Sequence, residues 1–155
     1  MRRSSWVTAA FALGLAITAS GCAFFRGADK PTAIDVNLTA AARLNPDETG
    51  QSLPTMFRIQ LLGAASKAES ASYETLYRGD KEALGEDLLA IEEVVLSPGE
   101  TATKKIVSEK PAHALLVVGI FRKPTGTSWR AIVPIDGGRP RRVSLRAEDY
   151  RVDRR

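Results

Sequence analysis

The 155-residue chain is poor in side chains that do chemistry, with one cysteine, Cys22, and one histidine, His113. A zinc site needs several Cys, His or carboxylate ligands, and His113 has no such company along the sequence. A Ser-His-Asp hydrolase would have to use His113, and no Gly-x-Ser-x-Gly nucleophile turn is present. Glu92 and Glu93 are adjacent, so on a strand they point to opposite faces and cannot work as an acid–base pair. Gly137-Gly138 lacks the strand-to-helix setting of a phosphate loop. No catalytic residue, metal ligand or cofactor is expected. His113 sits beside the apolar run Ala114 to Phe121 and is read as structural. Cys22 has no disulfide partner within the chain, so its chemistry depends on where it stands.

It stands at the end of an export signal. Arg2 and Arg3 precede an uncharged apolar run from Trp6 to Ile17, and small residues lead into Gly21-Cys22. The run is too short to span a bilayer comfortably, since a membrane helix takes about twenty apolar residues. Ala19-Ser20-Gly21-Cys22 resembles the bacterial lipobox, in which cleavage leaves the cysteine as a lipidated first residue. Each buried acyl CH₂ adds about 0.8 kcal/mol, so several chains on one cysteine hold firmly where a single chain does not. Ala23 rather than Asp after the cysteine favours, by resemblance to sorted lipoproteins, the outer membrane. The expected division is a signal over 1–21, a lipidated cysteine and tether over 22–32, and a domain over 33–155.

Without Arg2 and Arg3 the chain carries 20 basic and 18 acidic residues, a net of +2. Seven arginines against three acids from Arg139 to Arg155 make the C-terminal end the basic part. Nucleic acid is excluded as a partner by export. The remaining readings are a solvated end, an acidic partner, or anionic lipid headgroups.

The elements that would carry any site are short strands. Ile34, Val36 and Leu38 alternate with polar residues, as do Phe57, Ile59 and Leu61, which is the pattern of half-buried strands. Between them Arg43 to Pro54 is rich in turn formers and reads as a loop. Ser66 to Leu88 breaks the rhythm. Tyr73, Leu76 and Tyr77 fall at helical spacing with Ser70 or Ser72 as cap, and Lys81 to Leu84 restarts behind Asp80 as cap. Packing onto the sheet is the preferred role for that aromatic stripe. Leu88 to Leu96 and Thr101 to Val107 flank Ser97-Pro98-Gly99 and read as a hairpin. Ala114 to Phe121 reads as a strand buried on both faces. Trp129 to Ile135 reads as a strand that lies at an edge or ends at Pro134, which cannot donate to a ladder. Asp136-Gly137-Gly138 reads as a second hairpin turn leading to Val143 and Leu145. The fold class is mainly β, a two-sheet sandwich with a short helical insertion.

Taken in order, these pieces resemble the TssJ family, the outer-membrane lipoproteins of the bacterial type VI secretion system. Leu44-Asn45-Pro46-Asp47 with Gly50 and Leu53-Pro54 is similar to the family's first loop. Arg58-Ile59 opens a strand that usually reads Arg-x-Tyr-Gln-Leu, with Gln60 here at the aromatic position. Ala71-Ser72-Tyr73, Leu76-Tyr77 and Leu84-Gly85-Glu86-Asp87-Leu88 resemble the helical insertion. Leu96-Ser97-Pro98-Gly99-Glu100, Phe121-Arg122 and Trp129-Arg130 complete the set. The resemblance implies a transthyretin-like sandwich without catalytic activity. It further implies that the chain holds the periplasmic part of inner-membrane TssM at the outer membrane, with TssL in the same complex. Leu44, Asn45, Pro46, Asp47 and Leu53 are the expected partner contacts, since binding residues concentrate on loops held by a scaffold. Asn45, Pro46 and Asp47 can equally serve to shape the connection. The alternative is a periplasmic lipoprotein that binds a small ligand or cell-wall component in a sandwich groove.

Overall fold

The computed structural model describes residues 30–136 and 141–155, so the signal, the cleavage site and Cys22 lie outside the described residues. Eight strands form two four-stranded sheets. In chain order they are β1 (Thr32–Leu44), β2 (Thr55–Leu62), β3 (Leu88–Leu96), β4 (Thr101–Ser108), β5 (Ala114–Gly119), β6 (Arg130–Pro134), β7 (Arg142–Asp149) and β8 (Arg151–Arg154). One sheet has the order β4-β1-β7-β8 and the other β3-β2-β5-β6. Three short helices, α1 (Ser66–Ser70), α2 (Tyr73–Arg78) and α3 (Asp80–Leu84), lie between β2 and β3, followed by a 3-10 turn at Gly85–Asp87.

Strand alternation explains the core. Along β1 the residues Ile34, Val36, Leu38 and Ala40 are buried, and Val36, Leu38 and Ala40 stand opposite Val143, Leu145 and Ala147 of β7. From the other sheet Phe57, Ile59 and Leu61 stand opposite Gly119, Val117 and Leu115 and complete the inner layer.

The two outer faces differ. Arg58, Gln60 and Leu62 stand opposite Val118, Leu116 and Ala114, on the face that the helices cover. Leu76 of α2 and Leu84 of α3 are fully buried there. This third layer is why β5 is buried at every position, as the apolar run from Ala114 predicted. On the other sheet the outer face of β1 carries Ala33, Asp35, Asn37 and Thr39 and, among the described residues, has no helix over it. It is laced by side-chain hydrogen bonds, Asn37 Nδ2 to Thr103 Oγ1 at 3.1 Å and Thr101 Oγ1 to Thr39 Oγ1 at 3.2 Å.

Several sequence expectations need correction. The Ser97-Pro98-Gly99 turn exists, with the Glu100 N–H donating to the Ser97 carbonyl at 3.0 Å and Gly99 at φ 81°. It joins no hairpin, because β3 pairs with β2 and β4 with β1. Gly137 and Gly138 of the second expected hairpin turn lie outside the described residues, and the strands before and after them belong to different sheets, since β6 pairs with β5 and β7 with β1 and β8. A turn's hydrogen bond is local, whereas pairing follows from which face must be buried far along the chain. The loop after β1 starts at Asn45, since Arg43 and Leu44 still belong to the strand. The basic C-terminal end is an ordered β7–β8 hairpin, closed by Asp149 at φ 50°. Pro134 does lie on an edge strand, β6.

Asp80 is no helix cap. Its carboxylate turns inward, accepting from Arg58 Nη1 at 2.9 Å and Gln60 Nε2 at 2.6 Å. Ser72 caps α2 as expected, its hydroxyl accepting the Thr75 N–H at 3.1 Å. In the aromatic stripe Leu76 is buried. Tyr73 meets Trp129 edge to face at 5.2 Å and donates to the Phe121 carbonyl at 2.8 Å. Burial pushes the Tyr73 phenol above its usual value, with the neighbouring Tyr77 adding to the shift. Tyr77 itself stacks on Tyr73 from the solvent side.

Candidate functional site

β1 runs the length of the sandwich, so its two ends define the two ends of the domain. The segment from Cys22 would enter at Thr32, and the 45–54 loop leaves at the far end. Three other connections meet this loop there: the Ser97–Glu100 turn, the segment from Phe121 to Trp129, and the β7–β8 turn. The Gly99 N–H donates to the Ala41 carbonyl at 3.1 Å and the Ala40 N–H to the Glu100 carbonyl at 2.8 Å. These bonds cover the stretch where the β1–β7 register shifts, between Ala40 and Leu44.

Asn45 is the keystone of the loop. It adopts φ 44°, a left-handed conformation that asparagine tolerates better than most residues. Its Oδ1 accepts the Arg122 N–H at 2.9 Å, and its own N–H donates to the Asp149 carbonyl at 2.6 Å. The Tyr150 hydroxyl donates to the Pro46 carbonyl at 2.5 Å. Asp47 Oδ1 accepts three bonds, from the Thr49 N–H (2.8 Å), the Thr49 hydroxyl (2.7 Å) and the Gln51 N–H (2.9 Å). The Thr49 hydroxyl, with the Gln51 and Thr49 N–H groups and the Arg122 charge, holds the Asp47 carboxyl below its usual value against the opposing effect of desolvation. The Asp47 N–H donates to the Gln51 carbonyl at 2.8 Å, and the Leu53 N–H to the Leu44 carbonyl at 3.0 Å. The result is a loop with little freedom.

The expected contact residues divide into two sets. Leu44 is fully buried in the core and Asn45 is 4% exposed, so these side chains shape the loop from within. Pro46 is buried as well, while Asp47 and Leu53 are half-buried. The surface available to a partner is made by Glu48, Thr49, Gly50, Gln51 and Pro54, all exposed. Around it stand Arg122, 3.7 Å from Glu48, and the Arg43–Asp149 ion pair. Sequence reading missed Glu48, Arg122, Asp149 and Tyr150, because nothing local ties residues about a hundred positions apart. The one available signal was a lone tyrosine in an arginine-rich stretch.

Other candidate sites hold less. His113 is exposed, and its backbone bridges the Leu62 carbonyl and the Ile135 N–H, both at 2.8 Å. Among the described residues no three His, Cys, Asp or Glu are grouped to hold a metal ion. Trp129 is 2% exposed and donates its indole N–H to the Gly126 carbonyl at 2.8 Å. Arg130 stacks on Trp129 at 4.7 Å, and its guanidinium, lowered in pKa by burial, donates to the Ala71 and Glu69 carbonyls at 2.6 Å. That side chain ties the helical layer to β6. Among the described residues no helix is long and apolar enough to cross a membrane.

The class is a mainly β, two-sheet sandwich with a helical layer on one sheet and its loops gathered rigidly at one end. Residues 32–150 match the family T6SS-SciN, described as type VI secretion lipoprotein, VasD, EvfM, TssJ. The chain belongs to this family of type VI secretion lipoproteins. Its structure is similar to the T6SS lipoprotein TssJ1 of Pseudomonas aeruginosa, at 25% identity and a TM-score of 0.69, covering 81% of this chain and 97% of that one. Lip of Serratia marcescens, a membrane bound component of the Type VI Secretion System, shares the fold at 20% identity and a TM-score of 0.70, covering 80% of this chain and 97% of its own. A chain in the structure of the TssM C-terminal domain from EAEC shares it at 21% identity and a TM-score of 0.70, with coverages of 79% and 97%. No curated protein matches the chain.

Proposed function

We propose that this chain is a non-catalytic anchor, lipidated at Cys22 on the periplasmic side of the outer membrane. It holds the periplasmic region of inner-membrane TssM there, within the complex that also contains TssL. The carrying observation is the rigid 45–54 loop at the end of β1 opposite to where the lipidated segment enters. Membership in a lipoprotein family supports the anchor, and the fold shared with a chain in a TssM structure supports the partner. The mechanism is additive. The lipid fixes one end and the loop surface binds at the other, so each contact raises the effective concentration for the next. Leu44, Asn45, Pro46 and Asp47 set the loop's shape, and Glu48, Gln51 and Leu53 meet the partner.

The test is co-purification from detergent-extracted membranes. Wild type should bring down an inner-membrane protein with a large periplasmic region. The Glu48→Arg, Gln51→Arg variant should lose it by roughly tenfold or more, as expected when central interface residues are removed. Undiminished recovery with that variant would remove the loop from the interface, and absence of any such protein with wild type would remove the tether function.

A further inference from the structure

The geometry points to a membrane-docking face: the end of the β4-β1-β7-β8 sheet at which β1 begins is a cationic surface that lies on anionic lipid headgroups. This rests on the anchored reading above and adds to it how the domain sits on its membrane.

Three observations carry it. The first is where the cations are. Lys30, Lys105, Lys110, Arg141 and Arg142 are all exposed and all belong to this end. Lys105 and Arg142 stand in one row across the outer face of the sheet, on either side of Asp35. The Arg141 carbonyl accepts the Asp35 N–H at 2.9 Å, and Lys110 is the second residue after the end of β4. Glu109, Glu86 and Asp87 line the cleft beside Lys110, so the excess of cations is on the outer face, where Lys105 and Arg142 flank the single carboxylate of Asp35.

The second is their lack of partners. Among the described residues the ion pairs use Arg43, Arg58, Lys67, Arg78, Arg122, Arg146 and Arg151, and none of the five cations above. At the far end Arg43, Arg122 and Arg151 are matched by Asp149, Glu48 and Asp153 respectively, while Lys123 and the carbonyl-bonded Arg130 stand outside these ion pairs. Val107, opposite Ala33 in the same corner, is 53% exposed. Lys105 and Val107 lie two apart on β4 and share its outer face, and a cation beside an exposed aliphatic side chain suits a headgroup layer rather than bulk water.

The third is reach. Seven residues stand between Cys22 and Lys30, and the eight steps of a fully extended chain cover at most about 28 Å. β1 alone, with 13 residues, spans roughly 40 Å. The end that receives the segment from Cys22 therefore stays within that reach of the bilayer, and meets the headgroup potential, which extends only about a Debye length, when the tether is slack. The cations stand at that end.

The test uses the chain from Cys22 onward with Cys22→Ser, so that no acyl group contributes. The described core draws on residues from Ile34 to Val152 only, so this form retains all of it. It is sedimented with vesicles of phosphatidylethanolamine, with and without phosphatidylglycerol. The expected result is a preference for the phosphatidylglycerol vesicles that weakens with salt and falls roughly tenfold or more in Lys105→Glu, Arg142→Glu. Lys81→Glu, Lys123→Glu makes the same change of charge elsewhere and should bind as before. Equal binding to both vesicle types, an equal loss in the control, or a preference for cell-wall sacculi over vesicles overturns the proposal. Palmitate incorporation into wild-type Cys22 is measured in parallel. Incorporation without a vesicle preference overturns the docking face and leaves the anchor. A vesicle preference without incorporation supports the face and removes the anchor.

Discussion

The two sheets share a core, yet their outer faces follow opposite rules. On the β3-β2-β5-β6 sheet the outer face is an interior. Leu116 is fully buried beneath the helices, and Arg58 and Gln60 are drawn into a polar cluster around Asp80. On the β4-β1-β7-β8 sheet the same position in the pleat is a surface, where Asn37 and Thr103 bond to each other in the open. One covering layer of three short helices makes the difference. The identity of a strand's outward residues therefore says little about exposure until it is known what packs on them.

Substitutions can break or sharpen this contrast. The largest effect is expected for Leu116→Ala, which opens a cavity between helices and sheet and should cost about 3 kcal/mol, read as a fall in Tm. An effect under 1 kcal/mol would mean that the helices float on the sheet rather than pack on it. Asp80→Ala should cost about 2 kcal/mol by chemical denaturation, because it leaves Arg58 and a fully buried Gln60 without their shared acceptor. That lies below the usual range for breaking a fully buried pair, as Arg58 keeps some water, Glu93 and the Leu76 carbonyl. Adding Gln60→Leu to Asp80→Ala should recover part of the loss, since the Gln60 Oε1 has no partner even in the wild type. On the bare sheet Asn37→Ala should change stability by less than about 0.5 kcal/mol in the same measurement, as surface positions do.

The smallest effect concerns the far-end loop and is read locally. The Asp47 carboxyl is held below its usual value, so its bonds to Thr49 and Gln51 are complete above the ordinary carboxylate value of 3.8 and are lost as pH falls through the lowered one. The Thr49 amide resonance should therefore move at a pH below 3.8, while amides of β5 stay in place. Movement at or above 3.8 would show that the loop is looser than its hydrogen bonds imply.

The legible parts of the fold are those whose pattern and burial have one cause. The apolar run of β5 and the alternation in β1 and β2 lead directly to strands, because side-chain period and core face coincide there. Arg58 and Gln60 resist reading, since on a strand they look like a solvent face and their covering layer comes from residues 66–84. The turn at Ser97-Pro98-Gly99 is visible, but its strands separate into different sheets for reasons held elsewhere in the chain. At the candidate site the shape-giving residues Asn45, Pro46 and Asp47 were visible through their turn chemistry. Leu44 looked like a protruding apolar contact, although an aliphatic side chain at the end of a strand has a core to fill. The surface residues Glu48 and Gln51 are of types common in any loop, and only the meeting of four connections singles them out.

β1 has a consequence beyond its place in the sheet. Its first residue follows the segment from Cys22 and its last leads into the 45–54 loop, so a pull between those two points runs along the strand itself. Residues Thr32 to Thr39 are laddered to β4 on one side and Asp35 to Ala40 to β7 on the other. Tension in that direction loads both ladders in shear, where many hydrogen bonds must yield together rather than one after another from an end. A domain threaded this way resists extension far better than its modest size suggests.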